Sequence, residues 1–527
     1  MQWKVSHKKS KDIIEQLLAN RDIKFPKERE LFFHPKISDF ENDLQIAGID
    51  KAINRILKAI EKNELIVVFG DYDADGICAS AILYKALTSL GAKVLPYIPH
   101  REKEGYGLSR LGLEFAKDSG ATAVITVDNG IVAYDAAKLA KELGLDLIIT
   151  DHHLSQEKLP EAFAVIHSIK MCGAAVAWCL IKNSVPQSLS QELLQFVAIA
   201  TVCDMLPLIG LGRAFVFEGL RILNRTENLG LLALINVSGI NFGEIGSYEI
   251  GHVLGPRLNA IGRLEHAIDA LRLLCTKDPV KAKKLAKLLC EVNTTRQQMT
   301  MLALDQAKAL VVRENKIHIL HSKEWSAGII GLIAGRLSDE YYRPTIAISQ
   351  GEVVSKGSAR SIDGINIVEV IRSCSDILID VGGHPGAAGF SIKTEHIEIF
   401  KKRLDGYIKD LPVQSEKVLA IEAEVEVKQL TRKLVNDLQK LEPFGFGNPR
   451  PTFAIRNTQI SDIRTVGNGK HLKFKTADID AIAFGMGEFV NLLQNGQFVD
   501  LAFILELDTY NGFERIQLKI KDIKVAV

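Results

Sequence analysis

The chain has 527 residues, too many for one hydrophobic core, so about two to four domains are expected. Its 65 Lys and Arg offset 64 Asp and Glu to a formal charge of +1. Net charge therefore gives no argument for a nucleic-acid partner, and any basic surface must be local. The seven cysteines (78, 172, 179, 203, 275, 290 and 374) are odd in number and scattered with no Cys-x-x-Cys pair, which suggests neither a zinc ribbon nor a disulfide framework. Buried free thiols in a reducing compartment are expected instead. The N-terminal MQWKVSHKKSKDIIEQL lacks an apolar core of signal-peptide length, and no 18-residue apolar run follows, so a cytoplasmic chain without a membrane span is expected.

Residues 1–49 are mixed and charged and read as a helical N-terminal extension. From Glu64, short apolar runs alternate with amphipathic stretches: LIVVF (65–69), KVLPYI (93–98), AVITV (123–127) and LDLIIT (145–150). Strands of this kind indicate a parallel sheet covered on both faces, here a doubly wound α/β domain over 50–225. A helical region, 226–312, ends in a connector helix: 281–312 has no Gly or Pro and carries six basic and two acidic residues. A second, smaller α/β domain is expected over 313–408, with IHIL (317–320), a helix over 328–340, PTIAIS (344–349) and the Gly-rich VGGHPGAAGF. The last segment, 415–527, holds strand-like runs such as HLKFKT, AIAFGM and RIQLKIKDIKV between Gly and Asn turns, and predicts a small antiparallel β-barrel.

The strongest local signal is GDYDADG at 70–76. Its alternating carboxylates resemble an EF-hand loop, but the twelfth position counted from Asp71 is Ile82, and the segment follows a buried strand. What remains is Asp71, Asp73 and Asp75 at the carboxyl end of the first strand. Asp128 follows the AVITV run, and Asp151, His152 and His153 follow LDLIIT. Parallel sheets bind ligands beyond the carboxyl ends of their strands. So many like charges on one rim would repel unless cations compensate. Carboxylates with imidazole and no thiolate suit Mg²⁺ or Mn²⁺, and two such ions support hydrolysis of a phosphorus ester.

GDYDADG, VDNG and DHH, in that order, resemble the DHH phosphoesterase superfamily, and Asp204 in ATVCDMLPL resembles its fourth motif. The resemblance implies Asp73 and Asp75 as metal ligands, Asp128 as the bridge between two ions, and His152 and Asp204 completing the second ion. It implies His153 as a phosphate contact or acid, with Asp71 and Asp151 tuning the site from its edge. Some members place a His four residues before the first ligand, where this chain has Phe69.

PHREKEGYGLS (99–109), GPRLNAIGRL (255–264), SAGIIGLIAGRL (326–337), GSARS (357–361), GGHPGAAG (382–389) and EPFGFGNPRPTF (442–453) resemble the RecJ family of single-strand-specific exonucleases, from about residue 40 to the C-terminus. That family joins DHH, DHHA1 and OB-fold domains. The resemblance implies 5′→3′ degradation of single-stranded DNA to mononucleotides, in repair and recombination. Arg257 and Arg263, flanking Asn259 in a Gly- and Pro-bearing turn, suit phosphate contacts. Arg101, Ser358 and Arg360 would hold the DNA 5′ end, and His384 would lie near the scissile phosphate. Phe444, Phe446, His471, Lys473 and Phe474 are candidates for single-strand contact in the barrel, whereas EPFGFGNP also reads as a structural corner. Single-strand binding protein and repair helicases are implied partners, and a monomer is expected. The family's Trp-His is here Trp325 and Ser326, and its Asn-Pro is His167 and Ser168. Two rival readings are a smaller DHH-type hydrolase of oligoribonucleotides or cyclic dinucleotides, and a replication scaffold that has lost its metals.

Overall fold

The structure, a computed structural model, describes residues 1–101, 104–105, 107–408, 416–508 and 514–525. The chain forms two compact units, one of Leu44–Asp204 and Gly219–Glu416, the other of Met1–Asp43, Met205–Glu218 and Lys417–Val527.

The first unit holds the expected doubly wound sheet. Its five parallel strands run in the order Lys93–Tyr97, Leu65–Phe69, Ala121–Val127, Asp146–Asp151 and Ala164–His167. The first of these strands in sequence is thus second in space. Strand order reverses between Leu65–Phe69 and Ala121–Val127, which creates a switch point at their carboxyl ends. Val67, Phe69, Val124 and Ile149 supply one buried face, packed on helices that contribute Leu113, Ala116, Ala137 and Ala140. Phe69 is fully buried and its ring stacks on Tyr97 at 5.1 Å between centroids. It points into this apolar layer, away from any ligand role.

GPRLNAIGRL, expected as a turn, is the helix Gly255–Leu264, entered from a wider π-type turn at Ile250–Leu254. Its Pro256 has no N–H to give to that preceding turn, where the winding is wider than α. The connector helix is Pro279–Leu310, capped by Asp278. Beyond it, His318–Ser322 and Thr345–Ser349 pair in parallel, and Val354–Arg360, Ala387–Lys393 and Leu378–His384 continue antiparallel, so this second sheet is mixed.

In the other unit, Phe453–Val466, His471–Thr476, Ile479–Ala483, Arg515–Val525 and Phe498–Asp508 follow one another, and the last pairs back onto the first. The barrel is closed. It is antiparallel except where Ile479–Ala483 runs parallel to Arg515–Val525. Of residues 1–49, expected as a helical extension, Met1–Asp43 belong to this unit and also contribute the strand Gln2–Val5, paired with Val418–Ile421. Leu17, Leu18 and Phe32 enter the barrel core, which is why this segment does not stand alone. The EPFGFGNP corner is structural. Asn448 is fully buried and donates to Leu441 O and Pro443 O, and Arg213 donates to the carbonyls of Leu441, Glu442 and Pro443.

Candidate metal centre

Each acidic residue reaches the switch point for a local reason. Asp73 caps the helix Ala74–Ser89, its Oδ1 accepting from Asp75 N at 2.9 Å and Gly76 N at 3.0 Å. Gly76 is required here, since a Cβ would fall 2.6 Å from Asp71 Cβ. Asp75 accepts from Gly173 N and Ala174 N, both at 2.7 Å, at the start of helix Gly173–Ile181. That helix N-terminus favours a carboxylate. Asp128 follows its strand with φ +62°, and a Cβ on Gly173 would lie 2.6 Å from its Oδ1. Asp204 ends the helix Gln187–Cys203.

Three donor groups result: Asp71 with Asp73 and Asp128; Asp75 with His152 and Asp204; Asp128 with His152 and His153. Within each, the ligand atoms lie within 4.8 Å of one another. His152 Nε2 stands 3.1 Å from Asp128 Oδ1 and 3.6 Å from both Asp75 Oδ2 and Asp204 Oδ2.

Burial pushes the Asp71, Asp75 and Asp128 carboxyls well above the usual range, and the neighbouring carboxylates push further. Burial, then Asp73, raises Asp204 to about 7. Asp151 behaves oppositely: burial is outweighed by the hydrogen bond and charge of His153 and by the Ile131 N–H, which hold it low. His153 Nδ1 sits 2.8 Å from Asp151 Oδ1, and that carboxylate raises the imidazole to about 9 against the effect of burial. His152 is pushed down to about 4 by burial and then by His153, which keeps it neutral as a metal ligand must be. Asp71 Oδ1 is buried with no hydrogen-bond donor among the described residues. Mutually repelling buried carboxylates, an unsatisfied oxygen and a neutral imidazole fit divalent cations.

Divalent-ion binding is expected to weaken as pH falls through about 7, because a proton on Asp204 must leave first. In the metal-free chain the same shift costs stability as pH rises from 3.8 towards 7, since the unfolded carboxyl ionises first. Calorimetric titration with Mn²⁺ in two buffers of different ionisation enthalpy measures the proton released. A release that stays the same across that range would remove Asp204 from the ligand set.

Three family models match: the DHH family N-terminal domain over residues 65–201, the DHHA1 domain over 308–410 and the RecJ OB domain over 421–522. The single-stranded-DNA-specific exonuclease RecJ of Bacillus subtilis is 35% identical over 98% of this chain and 68% of its own length. The chain belongs to the RecJ family. RecJ of Thermus thermophilus, crystallised with Mn²⁺, superposes with a TM-score of 0.87 at 28% identity, covering 99% of this chain and 79% of that one. The same protein with Mg²⁺ gives 0.81 at 27%, covering 99% and 78%.

The residues expected to hold substrate fall in four places. Arg101, Arg263 and Arg360 oppose one another's charge, and burial first, then these neighbours, lowers Arg263 to about 10. The Arg101 guanidinium lies 4.9 Å from the centre of the Tyr72 ring, and Arg360 Nη1 donates to Ala359 O and Ser358 Oγ. Asn259 turns inward: its Oδ1 accepts from Ala74 N at 2.7 Å, so it braces the Asp73–Asp75 turn. Arg257 donates to Cys290 Sγ and Val253 O, toward the connector helix. His384 is exposed at the end of its strand and accepts from Gly386 N; no hydrogen bond or ion pair joins it to the carboxylates among the described residues.

His167 departs from the RecJ pattern and has its own task, with Nε2 2.6 Å from His153 O. Ser326 accepts from Gly328 N, and the buried Trp325 donates to Gln306. Of the barrel candidates, Phe474 is fully buried core and Phe444 packs against that core. Phe446 is exposed. His471 meets the exposed Phe484 edge-on at 5.1 Å, and Lys519 lies 5.5 Å from the same ring. Phe484 and Lys519 were not singled out from sequence; alternation along AIAFGM, two residues beyond the outward Ile482, was the available signal. No helix among the described residues is long and apolar enough to cross a membrane.

Proposed function

We propose that this chain is a 5′→3′ exonuclease that hydrolyses single-stranded DNA to 5′-mononucleotides with two divalent ions, Mn²⁺ or Mg²⁺. The observation that carries the reading is the convergence of carboxylates and two imidazoles at one sheet switch point, in a member of the RecJ family. Asp71, Asp73 and Asp128 would hold one ion; Asp75, His152 and Asp204 would hold the other, with Asp128 shared. When bound, the ions supply an activated water and neutralise the developing charge on the phosphate.

The remaining work falls to the chain itself. His153, protonated at neutral pH and fixed through Nδ1 by Asp151, offers its Nε2 proton to the scissile phosphate or its leaving oxygen. Asn259 keeps the Asp73–Asp75 turn in place. Arg101, Ser358 and Arg360 grip the 5′ phosphate, with Arg263 beside them. His384 contacts the phosphate once the strand is seated. The barrel's His471, Lys473, Phe484 and Lys519 engage the strand by stacking and charge. A hydrolase of dinucleotides would need no such barrel. The same reading places the chain in the cytoplasm as a monomer, with single-strand binding protein and repair helicases as partners.

Digestion of an end-labelled strand with Mn²⁺ or Mg²⁺, comparing free and blocked 5′ ends, tests it. Mononucleotide release that stops when the 5′ end is blocked is expected; release from the 3′ end, or cleavage of a dinucleotide in preference to the strand, would overturn it.

A further inference from the structure

Arg101 stands in repulsive company. The Arg263 and Arg360 guanidiniums are lowered by burial first and then by the charge of Arg101. Before any anion binds, such a group tends to push Arg101 away. Two contacts oppose that. The Arg101 guanidinium lies 4.9 Å from the centre of the Tyr72 ring. The residue before it, His100, is tied to Glu104 in both directions: His100 N donates to Glu104 Oε1, and Glu104 N donates to His100 O, each at 2.8 Å.

Glu104 is itself fixed at two further points. Its Oε2 accepts from Tyr97 Oη at 2.8 Å and from Ser109 Oγ at 2.6 Å. Ser109 caps the helix Arg110–Asp118, its Oγ accepting from Gly112 N at 3.0 Å. Tyr97 ends the strand Lys93–Tyr97, and its ring meets Phe69 and Phe115, each at 5.1 Å between centroids. Burial and then Glu104 push the Tyr97 phenol up, so it stays protonated and able to donate. One carboxylate thus joins a strand end, a helix start and the backbone next to Arg101. Phe69, which takes the place of a histidine in some relatives, is the buried floor of this brace.

We propose that Glu104, with Tyr97 behind it, is a positioning residue that keeps Arg101 beside Arg263 and Arg360 before the 5′ phosphate of the strand arrives. This rests on the exonuclease reading above, and on its assignment of Arg101, Ser358 and Arg360 to the 5′ end. The carboxylate touches no substrate. It lowers the ordering and repulsion that phosphate binding must otherwise overcome. Its loss should therefore appear in KM for a 5′-phosphorylated strand and not in kcat.

The test measures, on the full chain with Mn²⁺, steady-state release of the 5′-terminal nucleotide from short dT oligonucleotides that begin with a phosphate or a hydroxyl. Glu104→Gln should raise KM for the phosphorylated strand about 10-fold, and Tyr97→Phe, which removes one of the donors, about 3-fold. KM for the hydroxyl strand, and kcat for both, should keep their wild-type values. Arg101→Gln should raise the same KM, and Glu104→Gln added to it should raise it no further. Tyr134→Phe, which removes a hydroxyl bonded to Lys158 O, should match the wild type. Tyr97→Phe keeps the test valid should the Glu104 variant fail to fold. A wild-type KM for the phosphorylated strand in the folded variants overturns the positioning role alone. An equal change on both strands, a fall in kcat, or additive losses with Arg101→Gln also overturn it, because the carboxylate then serves the fold and not the grip. A wild-type chain that does not distinguish the two ends overturns the 5′-phosphate grip, and this inference with it.

Discussion

The Asp128→Ala chain is expected to bind single-stranded DNA and not to cut it. Asp128 groups with Asp71 and Asp73, and its Oδ1 lies 3.1 Å from His152 Nε2, so loss of this proposed shared ligand would weaken both ion sites at once. Two-metal sites supply several kcal/mol of transition-state stabilisation, which corresponds to a drop of about 10³-fold or more in cleavage. The proposed DNA contacts at Arg101, Ser358 and Arg360 lie on other elements and remain. Alanine at φ +62° is strained, so Asp128→Asn belongs in the same experiment, since Asn tolerates that backbone and keeps the side-chain shape. Single-turnover digestion with Mn²⁺, beside binding in EDTA, separates the two effects. Cleavage at the wild-type rate in either variant would remove the carboxylate cluster from the mechanism.

Arg213→Ala should produce the largest loss of stability, about 3–5 kcal/mol in the unit that contains the barrel. The guanidinium is 1% exposed and donates to four carbonyls: Phe32 and Glu442 at 2.6 Å, Leu441 and Pro443 at 3.2 Å. It also lies 3.9 Å from the Phe32 ring centre. Burial lowers it to about 10, so the charge persists at neutral pH because the carbonyl dipoles compensate it. Removal leaves buried acceptors unpaired, and Arg213→Lys should recover little, because an ammonium cannot span the same fork of acceptors. Urea denaturation followed by barrel-specific fluorescence measures this. A midpoint unchanged within about 0.5 kcal/mol in both variants would reduce the residue to a surface-like role.

Much of the catalytic unit was legible before any coordinates. Buried strands are short apolar runs, and residues that follow them fall on one rim, so Asp73, Asp75, Asp128 and His152 could be grouped by counting along the chain. Phe69 shows the limit of that reasoning. It stands where a ligand is found in some relatives, yet its strand turns it into the layer beneath the sheet, against Tyr97. Asn259 shows it too, since a polar residue between two arginines reads as a substrate contact, and its partner proves to be Ala74 N. That bond links positions 185 residues apart, and no local pattern encodes it.

The sequence by itself determined the donor types, their placement at strand ends and the family, because these depend on alternation, turn chemistry and motif order within short windows. Only the tertiary structure decided how the donors divide. Strand order put the ends of Leu65–Phe69 and Ala121–Val127 side by side, which brought Asp71 and Asp73 beside Asp128. It also decided that Met1–Asp43 and Met205–Glu218 share a unit with the barrel. Such groupings arise from packing between distant segments, where burial and like-charge repulsion act through space rather than along the chain.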